Sequence, residues 1–243
     1  MNAAIDLGNT FGKLAFFEGL TLMSYEKGLD IDSILISLKK VNPEKIIICS
    51  VTKSILELNV LFSNFKNKHI LSFESELPIK NGYKTPKTLG YDRIAAAVGA
   101  FHQFPNENCL IIEMGTAIKY DYLNKNGTFE GGIISPGLRM RFKALHTFTK
   151  KLPLIKEDGI PELIGTSTES CIRSGVVNGM AAEINGLISK YQEKEGLKII
   201  IGGGDAVFFE SQINYPTFAA SNLVLEGLNR ILIYNAENKN FIK

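Results

Sequence analysis

Cysteine is scarce in this chain: Cys49, Cys109 and Cys171 are the three in 243 residues. They lie far apart with no C-x-x-C pair, and an odd, scattered set argues against a disulfide framework or a zinc site. Cys49 and Cys109 sit beside apolar runs, so both are expected as buried thiols in a reducing compartment. His69, His102 and His146 show no metal-ligand spacing, and His146 falls in a predicted helix as a packed or surface residue. No sign of charge dominates. The formal net charge is +2, too small to argue for nucleic acid or an anionic membrane as a partner. Long apolar runs are missing, none approaching the ~20 residues that span a bilayer. Asp6 interrupts the first apolar stretch and no basic segment precedes it, so no targeting segment is read here and the expected location is cytoplasmic.

Two familiar phosphate-binding signatures are absent as well. Gly8-Asn9-Thr10-Phe11-Gly12-Lys13 lacks the gap and final hydroxyl of G-x-x-x-x-G-K-[ST]. No G-x-G-x-x-G follows the first predicted strand, so a Rossmann dinucleotide site is unsupported.

What is present is a short pattern that occurs twice. Ile5-Asp6-Leu7-Gly8-Asn9-Thr10 and Ile112-Glu113-Met114-Gly115-Thr116-Ala117 each place a carboxylate two residues before a glycine. Each lies between two strand-like runs. Such a bend presents carboxylate, hydroxyl and bare backbone N–H groups to a phosphate. Two of them imply duplicated halves facing one cleft.

The rest of the chain alternates strand and helix signals. Helices are predicted over 31–40, 54–65, from Tyr91 or Asp92 to Phe104, 137–148, Thr168–Gln192 and Leu223–Asn235. Strands are predicted at Lys45–Val51, Cys109–Ile112, Ile118–Leu123 and Lys198–Ile201, with a hairpin turn at Asn126-Gly127. Residues 78–90 and 153–166, punctuated by Pro and Gly, read as loops. The composition, 45% hydrophobic and 21% charged, is ordinary for a globular protein, and the alternation of strands and helices points to α/β. The expected architecture is two similar lobes, 1–105 and 106–243, with the last helix free to pack back on the first.

Several residues could carry chemistry. Gly8 and Gly12 flank Asn9-Thr10 in a tight turn, and Lys13 supplies a cation for phosphates. Asp6 would repel phosphate directly, so its sensible role is to hold a hydrated metal ion. Gly202-Gly203-Gly204-Asp205 offers a close-approach surface for a base and ribose. Asp92 sits where loop becomes helix, either as an N-cap or as the acceptor of a proton from an attacking hydroxyl. Arg93 could pair with a substrate carboxylate or phosphate, and Tyr83 could lie along a substrate.

Taken in order, several motifs closely resemble the type III pantothenate kinase family of the acetate and sugar kinase/Hsp70/actin superfamily. They are Asp6-Leu7-Gly8-Asn9-Thr10 with Lys13, Tyr83 with Gly90-Tyr91-Asp92-Arg93, Gly115-Thr116-Ala117, Gly132–Gly137, Thr168 with Ser174-Gly175, and Gly203-Gly204-Asp205. The resemblance implies duplicated actin-like, ribonuclease H-like α/β lobes. It implies transfer of the ATP γ-phosphoryl to pantothenate, the first step towards coenzyme A, in a homodimer using Mg²⁺ and potassium or ammonium. It places Asp6, Leu7, Gly8, Asn9, Thr10, Phe11, Gly12, Lys13 and Thr116 at ATP. It makes Asp92 the general base. It puts Tyr83, Gly90, Tyr91, Asp92 and Arg93 along pantothenate, with Thr168 reaching the substrate across the dimer interface. The residues alone would make Thr168 only a helix cap.

The chain departs from the family pattern at three places. Glu113 stands where the family usually has the Asp linked to the monovalent cation, Lys119 where it often has Thr, and Gly202 where Thr is common. These departures suggest that the Lys119 ammonium replaces potassium. Glu113 and Gly202 also keep open the reading of a regulatory relative impaired in catalysis; a superfamily kinase for another small hydroxyl or acid substrate is a separate alternative, against which Gly90-Tyr91-Asp92-Arg93 and Tyr83 speak.

Overall fold

The computed structural model describes residues 1–9, 11–192 and 196–240. In chain order it begins with β1 (Asn2–Leu7), β2 (Gly12–Glu18), β3 (Thr21–Leu29), α1 (Ile31–Val41), β4 (Lys45–Ser50), α2 (Ile55–Leu61), β5 (Lys68–Ile70), β6 (Lys80–Asn81) and α3 (Tyr91–Gln103). It continues with β7 (Asn108–Met114), β8 (Ala117–Leu123), β9 (Thr128–Pro136), α4 (Leu138–Phe148), α5 (Thr168–Tyr191), β10 (Leu197–Gly202), α6 (Ala206–Phe209), β11 (Phe218–Ala219) and α7 (Leu223–Asn240).

Contacts divide the chain into two units. The first comprises residues 1–106, 123–131 and 222–243. Its five strands run in the order β3-β2-β1-β4-β5. β1 pairs antiparallel with β2 and parallel with β4. Side chains alternate across a strand, so Ala3, Ile5 and Leu7 face one core with Leu14, Phe16, Ile34, Leu38 and Leu58. Asp6 falls on the opposite face. α7 packs against β1 and α3, and the close approach depends on glycine: a Cβ at Gly227 would overlap the Ala95 carbonyl oxygen. α1 is capped by Asp30, whose carboxylate accepts from Ser33 N at 2.8 Å, and α2 by a reciprocal Ser54–Glu57 box.

The second unit comprises residues 107–122 and 132–221. Its strands follow the order β11-β10-β7-β8-β9, with β10 parallel to both β7 and β11. Leu110, Ile112, Met114, Ile118, Tyr120, Ile199 and Ile201 face a core completed by α4 and α5. Alternation therefore turns Glu113, Lys119 and Gly202 to the other face of this sheet.

Some elements depart from expectation. β3 was not legible because six of its nine residues are exposed, leaving no apolar alternation to read. The helix predicted over 54–65 closes at Leu61. The long helix is continuous through Gly175, Gly179 and Gly186, where an added Cβ would meet nothing within 4 Å. Its cap is Ser167, paired with Ser170 in a capping box, and Thr168 is the first helical residue rather than the cap. Likewise Gly90, not Asp92, is the N-cap of α3. Among the described residues no helix is long and apolar enough to cross a membrane.

Candidate active site

In the first unit the β1–β2 hairpin sets Asp6 directly opposite Lys13, and β4 sets Cys49 beside Asp6. All three share the face turned away from the Ile5/Leu7 core. Lys13 Nζ lies 3.7 Å from Asp6 Oδ2, and the Cys49 thiol donates to Asp6 Oδ1 at 3.6 Å. Asp6 is 7% exposed, so its carboxylate is held in one orientation by a cation and a thiol. Leu7 and Gly12 close the strands, Gly8 and Asn9 form the bend, and Phe11 projects at its tip, 60% exposed. Thr10 lies outside the described residues. A cavity of about 300 Å³ opens beside the bend, lined by Leu7, Gly8, Phe11 and Gly12 together with Asp30, Thr52 and Lys53.

The same unit holds the Tyr83–Arg93 group. Arg93 is buried, and its guanidinium stacks over the rings of Tyr83 and Phe129 at 5.6 and 5.8 Å. Gly131, at φ +103°, lies under Tyr83, where a side chain would press on the ring. Asp92 stands in the first turn of α3, with Oδ1 accepting from Arg93 N at 2.9 Å. The helix N-terminus favours a carboxylate there. Gly90 is bare where a Cβ would come within 2.7 Å of Asp92 Oδ1. Tyr91 begins the helix and is half-buried. Phe129 carried no sequence signal, because it meets Arg93 only through β9.

In the second unit the β7–β8 bend is tight: Gly115 N donates to Ala117 O at 3.2 Å, centring the bend on Thr116, which is exposed. Glu113 and Lys119 stand three residues to either side. Two glycines press on this bend. Gly137 N donates to Thr116 O at 3.2 Å, and a Cβ there would overlap Gly115 O and lie 2.6 Å from Thr116 O. Gly203, at φ +92°, leaves only 2.6 Å between an added Cβ and the Met114 backbone N. Asp205 N donates to Met114 O at 3.1 Å. Burial holds the Asp205 carboxyl above its ordinary range; Arg139 opposes this and Glu157 adds to it. Glu113 registers with Gly202, and its carboxylate fills the space that a side chain at 202 would take. Thr168 opens α5, exposed. Among the described residues no group of three or more His, Cys, Asp or Glu could hold a metal ion.

The family model for type III pantothenate kinase matches residues 3–190. The chain belongs to the type III pantothenate kinase family. A type III pantothenate kinase from Cytophaga hutchinsonii is 43% identical over 240 residues, covering 97% of this chain and all of the relative. Among solved structures, one from Campylobacter jejuni titled as a Baf family transcriptional activator shares the fold at TM-score 0.66 and 23% identity, covering 98% of this chain and 99% of the other. A 2-dehydro-3-deoxygalactonokinase structure from Sinorhizobium meliloti does so at TM-score 0.58 and 14% identity, covering 98% of this chain and 99% of the other. The fold class is thus mixed α/β with two sheets, a fold shared with these structures along 98% of the chain. The match spans the two acidic bends, the Tyr83–Arg93 group and the first turn of α5.

Proposed function

We infer that this chain is a pantothenate kinase, which phosphorylates pantothenate with ATP in the first step of coenzyme A biosynthesis. The observation that carries the inference is the likeness to a type III pantothenate kinase along 97% of the chain. The geometry supports roles for particular residues. The bend at Gly8 and Asn9 offers its backbone, and Lys13 its ammonium, to the phosphates. The Thr116 hydroxyl and the Gly115–Thr116 backbone supply a second phosphate contact. Arg93, held flat by Tyr83 and Phe129, suits an anionic group of the acceptor. Asp92 takes the proton of the attacking hydroxyl, since phosphoryl transfer asks for a positioned base more than a strong one.

A single buried carboxylate with a partial opening fits a magnesium ion that keeps most of its waters and is bound mainly by phosphate oxygens. Asp6 would hold Mg²⁺ through water, and the ion would neutralise charge on the transferring phosphoryl group. The monovalent cation is a separate matter. Glu113 would be its ligand, and the Lys119 ammonium on the same sheet face could replace it. Equal rates in potassium-free and potassium-containing buffer would support replacement, and a strict potassium or ammonium requirement would rule it out. We place the enzyme in the cytoplasm as a homodimer in which Thr168 reaches the partner's pantothenate.

The deciding experiment is a coupled ADP-release assay with pantothenate on the wild type and Asp92→Asn. Loss of about two or more orders of magnitude in kcat on removing the base is expected. Unchanged turnover in the variant would remove Asp92 as base, and absence of pantothenate-dependent ADP release in the wild type would remove the function.

A further inference from the structure

A polar cluster in the second unit lies behind the Gly115–Thr116 bend and is not used above. Glu183, on α5, accepts from three donors. Tyr120 Oη donates to its Oε1 at 3.0 Å, while Ser135 Oγ and Arg141 Nη2 donate to its Oε2 at 3.1 and 2.5 Å. Arg141 Nη2 also donates to Ser135 Oγ at 3.0 Å, and its Nε donates to Pro136 O at 2.8 Å. The cluster is largely shielded, with 20% of the Arg141 and 25% of the Glu183 side chain exposed. Tyr120 is fully buried. Burial and the adjacent Glu183 push its phenol far above the ordinary range, so it acts only as a donor.

These bonds converge on Ser135-Pro136-Gly137. Gly137 packs flat on the bend and donates to the Thr116 carbonyl. The path is continuous: α5 carboxylate, Ser135 hydroxyl and Arg141 guanidinium, Pro136 carbonyl, Gly137 N–H, Thr116. The tight packing of Gly137 leaves the bend no room to move unless the Ser135-Pro136-Gly137 strap moves with it.

We propose that Glu183, acting through Ser135 and Arg141, is a positioning residue that sets the Gly115–Thr116 bend for nucleotide. This rests on the reading of that bend as an ATP contact. Glu183 touches no substrate in this scheme. It fixes the strap, and the strap fixes where the Thr116 hydroxyl and backbone point. Loss of the cluster therefore weakens nucleotide binding and spares the acceptor. A merely structural role in α5, which also carries Thr168, would disturb both substrates.

The test uses Glu183→Gln, Arg141→Met, their double variant and Ser135→Ala. MgADP binding is measured by calorimetry, and KM for ATP and for pantothenate by initial rates. Removing a charge-assisted hydrogen bond predicts about a tenfold weaker MgADP affinity and a matching rise in KM for ATP in Glu183→Gln, with KM for pantothenate unchanged within about twofold. The double variant should be no worse than the weaker single, because both act through one pair. MgADP affinity in Glu183→Gln close to the wild type would overturn the proposal, as would a parallel rise in both KM values. If Glu183→Gln does not fold, Ser135→Ala carries the same comparison with an expected loss of about threefold. Thr116→Val separates this proposal from the reading beneath it. Wild-type MgADP affinity in Thr116→Val removes the threonine hydroxyl as an ATP contact, whereas the positioning role falls only on the Glu183 and Ser135 variants.

Discussion

Replacing Gly137 by alanine should damage the protein through a single methyl group. The Gly137 backbone, at φ −72° and ψ 173°, is one that alanine adopts without strain, so any cost is steric. An added Cβ would lie 2.6 Å from the Thr116 carbonyl oxygen and overlap the Gly115 carbonyl. Ordinary contact needs about 3.4 Å, so the strap and the bend must part by at least about 0.8 Å. Both obstructing atoms are backbone, and neither can rotate away. Overpacking of this kind costs about 1–3 kcal/mol. The Gly137 N to Thr116 O hydrogen bond of 3.2 Å would also stretch beyond useful length, adding about 1 kcal/mol. A loss of about 2–4 kcal/mol in a chain of this size lowers the melting temperature by about 5–15 °C. Gly204→Ala is the control, since an added Cβ there meets nothing within 4 Å, and it should stay within about 0.5 kcal/mol of the wild type. Scanning calorimetry on the three proteins checks this. A Gly137→Ala protein melting within a degree of the wild type, or a Gly204→Ala protein melting equally early, would refute the steric reasoning.

Three further outcomes are expected. Gly202→Thr alone should be destabilised by about 1–3 kcal/mol, because its side chain would enter the space of the Glu113 carboxylate and approach Ala220 O at 3.0 Å. Adding Glu113→Asp should recover part of the loss, and denaturant melts showing no recovery would count against that shared space. In a native thiol titration Cys171, exposed, should react promptly, while Cys49 and Cys109 are buried and burial pushes the Cys109 thiol up to about 12; two or three fast equivalents would contradict this. The Asp205 carboxyl is held above its ordinary value of 3.8, chiefly by burial. Its contribution to stability is therefore present below about pH 4 and is lost as pH rises through its folded value. Asp205→Asn should gain melting temperature over the wild type at neutral pH, with the gap closing towards pH 4, and a gap that widens on acidification would reverse the sign.

Much of the candidate site was legible because its signals are local. A carboxylate two residues before a glycine, between two apolar runs, marks a bend whatever surrounds it. Asn9 and Thr116 could thus be placed on turns, and Asp92 near a helix start, from neighbours in the chain. A bend centred on Thr116 sets Glu113 and Lys119 symmetrically about it, three residues to either side. Local signals failed at caps. Glycine capped α3 and Ser167 capped α5, because several polar residues stood near each boundary and only backbone geometry chose among them.

The sequence alone determined the alternation of the main strands and helices, the two acidic bends and the family, since each rests on short-range pattern or on ordered motifs. Tertiary structure alone decided the partners. Phe129 under Arg93, Cys49 against Asp6, Glu183 behind the Thr116 strap and Gly227 against Ala95 join residues far apart in the chain. Such pairs depend on sheet register and helix packing, which many residues set together, and no single stretch of chain encodes them.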